Sequence, residues 1–151
     1  MKKQDYNTTI TVDATPQAAF QAINDVTKWW TEDLEGSTQR RNDVFTVHFG
    51  ETYITHRIVE GTPGKKIVWR VTDCHKHFLK NKKEWKDTQI SFEISPKGGS
   101  TQIHFTHTGL VPEVECYGVC SNAWDHYIKE SLFKLLTEGK GTPEVRHVNN
   151  A

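Results

Sequence analysis

The chain has 151 residues, with 19 Lys and Arg set against 19 Asp and Glu, which is the length of one domain and leaves no net charge to attract nucleic acid or an anionic membrane. Leu, Ile, Val and Phe together make 34 residues, enough to escape the composition that keeps a chain unfolded. No apolar run reaches the roughly 18–20 residues of a membrane span, and Met1-Lys2-Lys3 leads into Gln4-Asp5 and not into a signal core, so no membrane insertion and a cytoplasmic location are expected.

The first element is a strand over Thr8–Asp13, β-branched and alternating. Thr15-Pro16 then opens a short helix, with Thr as N-cap, Pro at the first helical position and Ala19, Phe20 and Ile23 as an apolar face, ending before Lys28-Trp29-Trp30. Five stretches of period two follow. Val44–Gly50 puts Phe45, Val47 and Phe49 on one face, and Tyr53–Glu60 puts His56 beside Ile54 and Ile58. Ile67–Val71 groups Ile67, Trp69 and Val71; Ile90–Ile94 and Ile103–His107 repeat the scheme. One dry and one wet face indicate an antiparallel sheet, and Gly61-Thr62-Pro63-Gly64 and Pro96-Lys97-Gly98-Gly99 supply hairpin turns. From Cys116 to Glu138 the apolar positions change to spacings of three and four, which predicts one long amphipathic helix closed by Gly139. Residues 1–139 therefore read as one α+β domain, a sheet with two short helices after its first strand and a long C-terminal helix, and residues 140–151 as a polar, loose tail. A single long helix cannot cover a six-stranded sheet, so part of the dry face is expected to line a cavity.

This order of elements resembles the helix-grip proteins of the START-like (SRPBCC) superfamily, in particular the group related to the activator of the heat-shock chaperone ATPase. The residues carrying the resemblance are Val12-Asp-Ala-Thr-Pro-Gln-Ala-Ala-Phe20, Thr27-Lys-Trp-Trp30, Ile58 through Trp69, Thr88–Ile94, Phe105-Thr-His-Thr-Gly-Leu110, and the final helix with Ala123-Trp124 and Ser131–Leu136. The resemblance implies a curved antiparallel sheet wrapped around the C-terminal helix, with an apolar pocket used in the superfamily for lipids, polyketides, hormones and flavonoid-like molecules. It implies three function classes for the chain: a binder of small apolar or aromatic molecules, a cyclase or dehydratase, or an interaction module touching a chaperone, as a monomer or a homodimer.

Aromatics on the buried phases either fill the core or form a pocket wall. Trp30, Phe45, Trp69, Phe92, Phe105, Tyr117, Trp124 and Ile128 are the expected wall. His56 and His107 point inward by parity, where a polar group needs a partner; they are expected to be satisfied core residues or polar anchors for a ligand. Cys116 and Cys120, with Cys74-His75-Lys76-His77, match no compact zinc spacing, so no metal is expected. Cysteines four apart on an intact helix also make a poor disulfide pair, and three cysteines agree with a reducing compartment. The Lys76–Lys86 segment, with five lysines and two aromatics, reads as a solvated excursion between strands or as a lid over the pocket. The absence of a Gly-rich phosphate loop, a nucleophile elbow or triad spacing argues against a conventional hydrolase or nucleotide enzyme and calls for no cofactor.

Overall fold

Seven antiparallel strands form one sheet in the order β1-β7-β6-β5-β4-β3-β2 in a computed structural model that describes residues 4–145. The strands are β1 Tyr6–Val12, β2 Leu34–Gly36, β3 Val44–Phe49, β4 Thr52–Thr62, β5 Lys66–His75, β6 Gln89–Lys97 and β7 Ser100–Thr108. Between β1 and β2 lie helix α1, Pro16–Asn24, and a single 3-10 turn, Val26–Lys28. The chain ends in a continuous helix of 22 residues made of α2 Tyr117–Trp124, a π-helical stretch Asp125–Leu132, and α3 Phe133–Glu138. This is the α+β helix-grip architecture expected from the sequence.

Local chemistry accounts for the boundaries. Thr15 Oγ1 accepts the Ala18 N–H at 3.0 Å and Pro16 opens α1, so an otherwise orphaned donor is satisfied and the proline loses no helical bond. At the other end Gly139 adopts φ 82° and returns its N–H to the Leu135 carbonyl at 3.1 Å, a left-handed stop that a Cβ would strain. The β4–β5 pairing slips register twice, between Thr55 and His56 and between Ile58 and Glu60. Bulges of this kind bend and twist a strand, and here they fall where the sheet must curl around the helix.

Three features depart from the sequence reading. β2 is an added seventh strand, too short for alternation to reveal. The C-terminal helix is not α-helical throughout, because Asp125–Leu132 widens into π-turns. The segment beyond Gly139 is not loose as far as Glu144. Gly141 is buried so tightly that a Cβ there would come within 2.5 Å of the Lys28 carbonyl oxygen. The Glu144 N–H donates to the Trp30 carbonyl and the Glu32 N–H to the Glu144 carbonyl, both at 2.8 Å. Residues 146–151 of the expected tail lie outside the described residues.

Ser131 joins these parts. Its buried hydroxyl donates to the Trp29 carbonyl at 2.7 Å and accepts the Thr142 N–H at 2.8 Å, linking the helix, the turn before Trp30 and the C-terminal segment. Ser131→Ala strands both backbone groups, and a loss of about 2–4 kcal/mol in stability is expected. Urea unfolding measures it, and a change below about 0.5 kcal/mol would show that the bridge is dispensable.

Candidate functional site

Trp30 divides the space between sheet and helix. The preceding Trp29 is fixed by donating its indole N–H to the Ile23 carbonyl at 3.1 Å, which leaves Trp30 pointing into the centre with its ring buried. It stacks on Trp69, centroids 6.0 Å apart and planes 6° apart, and leans on Trp124 at 4.9 Å. On one side of it the interior is closed: Phe45, Trp69, Phe92 and Phe105 meet edge to face at 5.0–5.1 Å, an arrangement that suits the ring quadrupoles. On the other side lies a half-open cavity of about 230 Å³.

Three pieces of chain wall this cavity. β3 and β4 supply Phe49, Thr52 and Ile54, the helix supplies Val119, Cys120, Ala123, Trp124 and Tyr127, and the excursion after β5 supplies Lys76, Phe78 and Trp85. The lining is overwhelmingly apolar, and Phe78 and Val119, 53% and 63% exposed, are among it. Of the residues expected around a ligand, Trp30 and Trp124 line the cavity. Phe45, His56, Trp69, Phe92, Phe105, His107 and Ile128 sit in the closed interior, and half-buried Tyr117 is not on the wall.

The two inward histidines are buried as parity requires, and their surroundings differ. His107 Nδ1 accepts the Trp124 indole N–H at 3.0 Å, its Nε2–H donates to Thr88 Oγ1 at 2.9 Å, and Thr88 donates to the Trp85 carbonyl at 2.7 Å. Because an indole can only donate, the ring is neutral with its proton on Nε2. His56 stacks on Phe45 at 4.6 Å, with Trp30 at 5.3 Å, and among the described residues neither ring nitrogen meets a hydrogen-bond partner within bonding geometry. Burial pushes both pKa values down to about 3, with Lys76 adding to the fall and the Phe45 backbone opposing it at His56.

The Lys76–Lys86 excursion is only partly the solvated loop that its charge suggests. Lys76, Leu79 and Trp85 are buried, and Trp85 lies parallel to Trp124 at 5.9 Å while meeting His107 edge-on at 4.4 Å. The Glu115 carboxylate accepts the backbone N–H groups of Lys80 and Asn81, and the Glu84 carboxylate accepts that of Cys116 at 3.1 Å. Packing against the helix start, which linear sequence does not reveal, turns a charged loop into one wall of the cavity. The two aromatics inside the lysine run are the signal that marks it.

The cysteines also depart from expectation. Cys116 and Cys120 form a disulfide across the start of the helix, with Cα atoms 5.4 Å apart, inside the span a disulfide bridges. Both side chains turn into the same buried region beside the excursion, so helical spacing does not keep them apart, and the cysteine count no longer argues for a reducing compartment. Cys74 is free and buried. Among the described residues, no three His, Cys, Asp or Glu side chains cluster to hold a metal ion, and no helix is long and apolar enough to cross a membrane.

Comparison with solved structures finds this grip elsewhere. The Aha1 dimer from Colwellia psychrerythraea is 23% identical over 91% of this chain and 99% of that one, with a TM-score of 0.75. DynU16, from the dynemicin biosynthetic locus, is 14% identical at TM-score 0.70, over 93% of this chain and 50% of that one. CalU16 from Micromonospora echinospora is 13% identical at TM-score 0.60, over 82% of this chain and 70% of that one. At such identities the likeness is one of fold. No curated protein matches the sequence at a significant level. The model of the family described as activator of Hsp90 ATPase homolog 1-like protein matches residues 8–137, from the first strand to the last turn of the final helix, and the chain belongs to that family.

Proposed function

We propose that the protein binds a small apolar, aromatic molecule in the cavity beside Trp30. The observation that carries this reading is the void itself. An apolar space of about 150 Å³ is enough for a benzene ring, and this one is larger, opens to solvent and is bounded by the rings of Trp30, Trp85, Trp124 and Tyr127. A fold relative from a biosynthetic locus is in keeping with a small-molecule cargo. Conversion by a cyclase or dehydratase would need an acid or base at the ligand, and the histidines do not offer one. His107 has both nitrogens engaged, and His56 lies behind Trp30. A chaperone contact, carried by the family's name, and a homodimer, the state of the Colwellia relative, would both have to use exposed surface such as Phe78 and Val119 at the cavity's rim.

The neutral fluorophore N-phenyl-1-naphthylamine tests the reading. Saturable, one-to-one fluorescence enhancement is expected, and Ala123→Trp, placed on an exposed wall position, should weaken binding at least about tenfold with an unchanged Tm. Enhancement that never saturates, or that Ala123→Trp leaves alone, would sink it.

The histidines make a separate prediction. A histidine free in the unfolded chain titrates near 6.5, whereas these titrate at about 3 when folded. Between those values the unfolded state binds more protons, so stability is full above about pH 6.5 and falls as pH drops towards 3. His56→Leu removes one such group together with its two unpaired nitrogens. Its urea midpoint at pH 7 should equal or exceed that of the wild type, with a shallower decline on acidification. A clearly lower midpoint at pH 7 would mean that the ring has an attractive role in the folded state.

A further inference from the structure

Among the described residues, Lys76 is the one charged side chain on the cavity wall, and it is 5% exposed. Its Nζ lies 3.9 Å from the centroid of the Trp85 ring and 5.3 Å from that of Phe78, so aromatic faces stand where a carboxylate would ordinarily be. The acidic groups nearby are committed elsewhere. Asp73 pairs with Lys83 at 2.9 Å, Glu84 accepts the Cys116 N–H, and Glu115 accepts from the backbone of Lys80 and Asn81. Lys82 meanwhile donates to the His77 and Leu79 carbonyls at 2.8 and 2.9 Å. Among the described residues, no hydrogen bond or ion pair engages Lys76 Nζ. Burial pulls this ammonium down to about 8, against the opposing influence of Cys74 and Glu84, so it remains mainly protonated at neutral pH. Trp85, on the same wall, carries a buried indole N–H that has no acceptor among the described residues.

A buried cation without a counterion is costly, and the cost is relieved by an anion arriving in the same apolar space. The flat rings of Trp30, Trp85 and Trp124 in the wall favour a flat guest. We propose, resting on the binding role inferred above, that the cavity selects small aromatic acids, with Lys76 pairing with the carboxylate and Trp30, Trp85 and Trp124 receiving the ring system.

Isothermal titration calorimetry at pH 7 with three probes decides it. In the wild type, 1-naphthoate is expected to bind at least about tenfold more tightly than 1-naphthalenemethanol, and octanoate more weakly than naphthoate. Lys76→Met, which replaces the buried charge with an apolar chain of similar length and should melt no lower than the wild type, is expected to erase the preference for naphthoate while leaving naphthalenemethanol within about threefold. Equal binding of the two aromatic probes by the wild type overturns acid selection and leaves the binding role standing. Tighter binding of octanoate overturns the aromatic half of the inference, and retention of the preference in Lys76→Met overturns the assignment to Lys76. If none of the probes binds, the acid selection and the binding role fall together. The wild-type comparison stands whatever the fate of the variant.

Discussion

One indole, Trp30, has to satisfy two surroundings at once, and the interior is organised by how it does so. A single helix laid across a seven-stranded sheet leaves more apolar surface than it can cover, and large flat side chains make up the difference. Trp30 stacks on Trp69 from the sheet and leans on Trp124 from the helix, closing the space on one side. The thickness it fills there is missing on the other, between Phe49, Ile54 and Trp124. The closed core and the open cavity are thus two sides of one packing decision. They also differ electrically: on the closed side a histidine can exist only uncharged, while the cavity edge tolerates an ammonium held against aromatic faces.

The second organising element is the chain of hydrogen bonds from the Trp124 indole through His107 and Thr88 to the Trp85 carbonyl. It joins the helix, β7 and the excursion through one ring, each donor with one acceptor. The excursion therefore has a fixed place despite its length and its lysines. Its carboxylate contacts at Glu84 and Glu115 fasten its other side to the start of the helix. The cavity wall is held from two directions, and the preorganisation that a rigid pocket needs comes from residues that do not themselves line it, such as Thr88 and His107.

The strands were legible because alternation reports directly on a half-buried sheet: Phe45, Ile54, Trp69, Phe92 and Phe105 all face inward as their spacing requires. The caps at Thr15 and Gly139 were legible for a similar reason, since each is a local chemical need met within a few residues. The candidate site was legible only in part. Parity identifies which side chains point inward, but it cannot separate those that meet another side chain from those that meet space, so Trp30 and Trp124 reached the wall while Phe92 and Ile128 did not. Lys76 was hidden for the opposite reason. A lysine in a run of lysines reads as solvated, and what buries it is Trp85, nine residues later, together with a helix some forty residues further on. The disulfide and the docked Gly141–Glu144 segment likewise depend on partners brought together by the fold, not by spacing.

The strand order has a consequence for how the chain is made. β1 pairs only with β7, Tyr6 opposite His107, and the Tyr6 hydroxyl donates to Asp125 in the final helix. During synthesis at about 5–20 residues per second, the first strand to emerge waits roughly 5–20 seconds for its neighbour. Over that interval the hairpins from β3 to β6 can already pair, and β6 ends the growing sheet as an uncapped edge. β1 is made before its partner and seated only when β7 follows, so the nascent chain is most open to mispairing in the interval before β7 emerges.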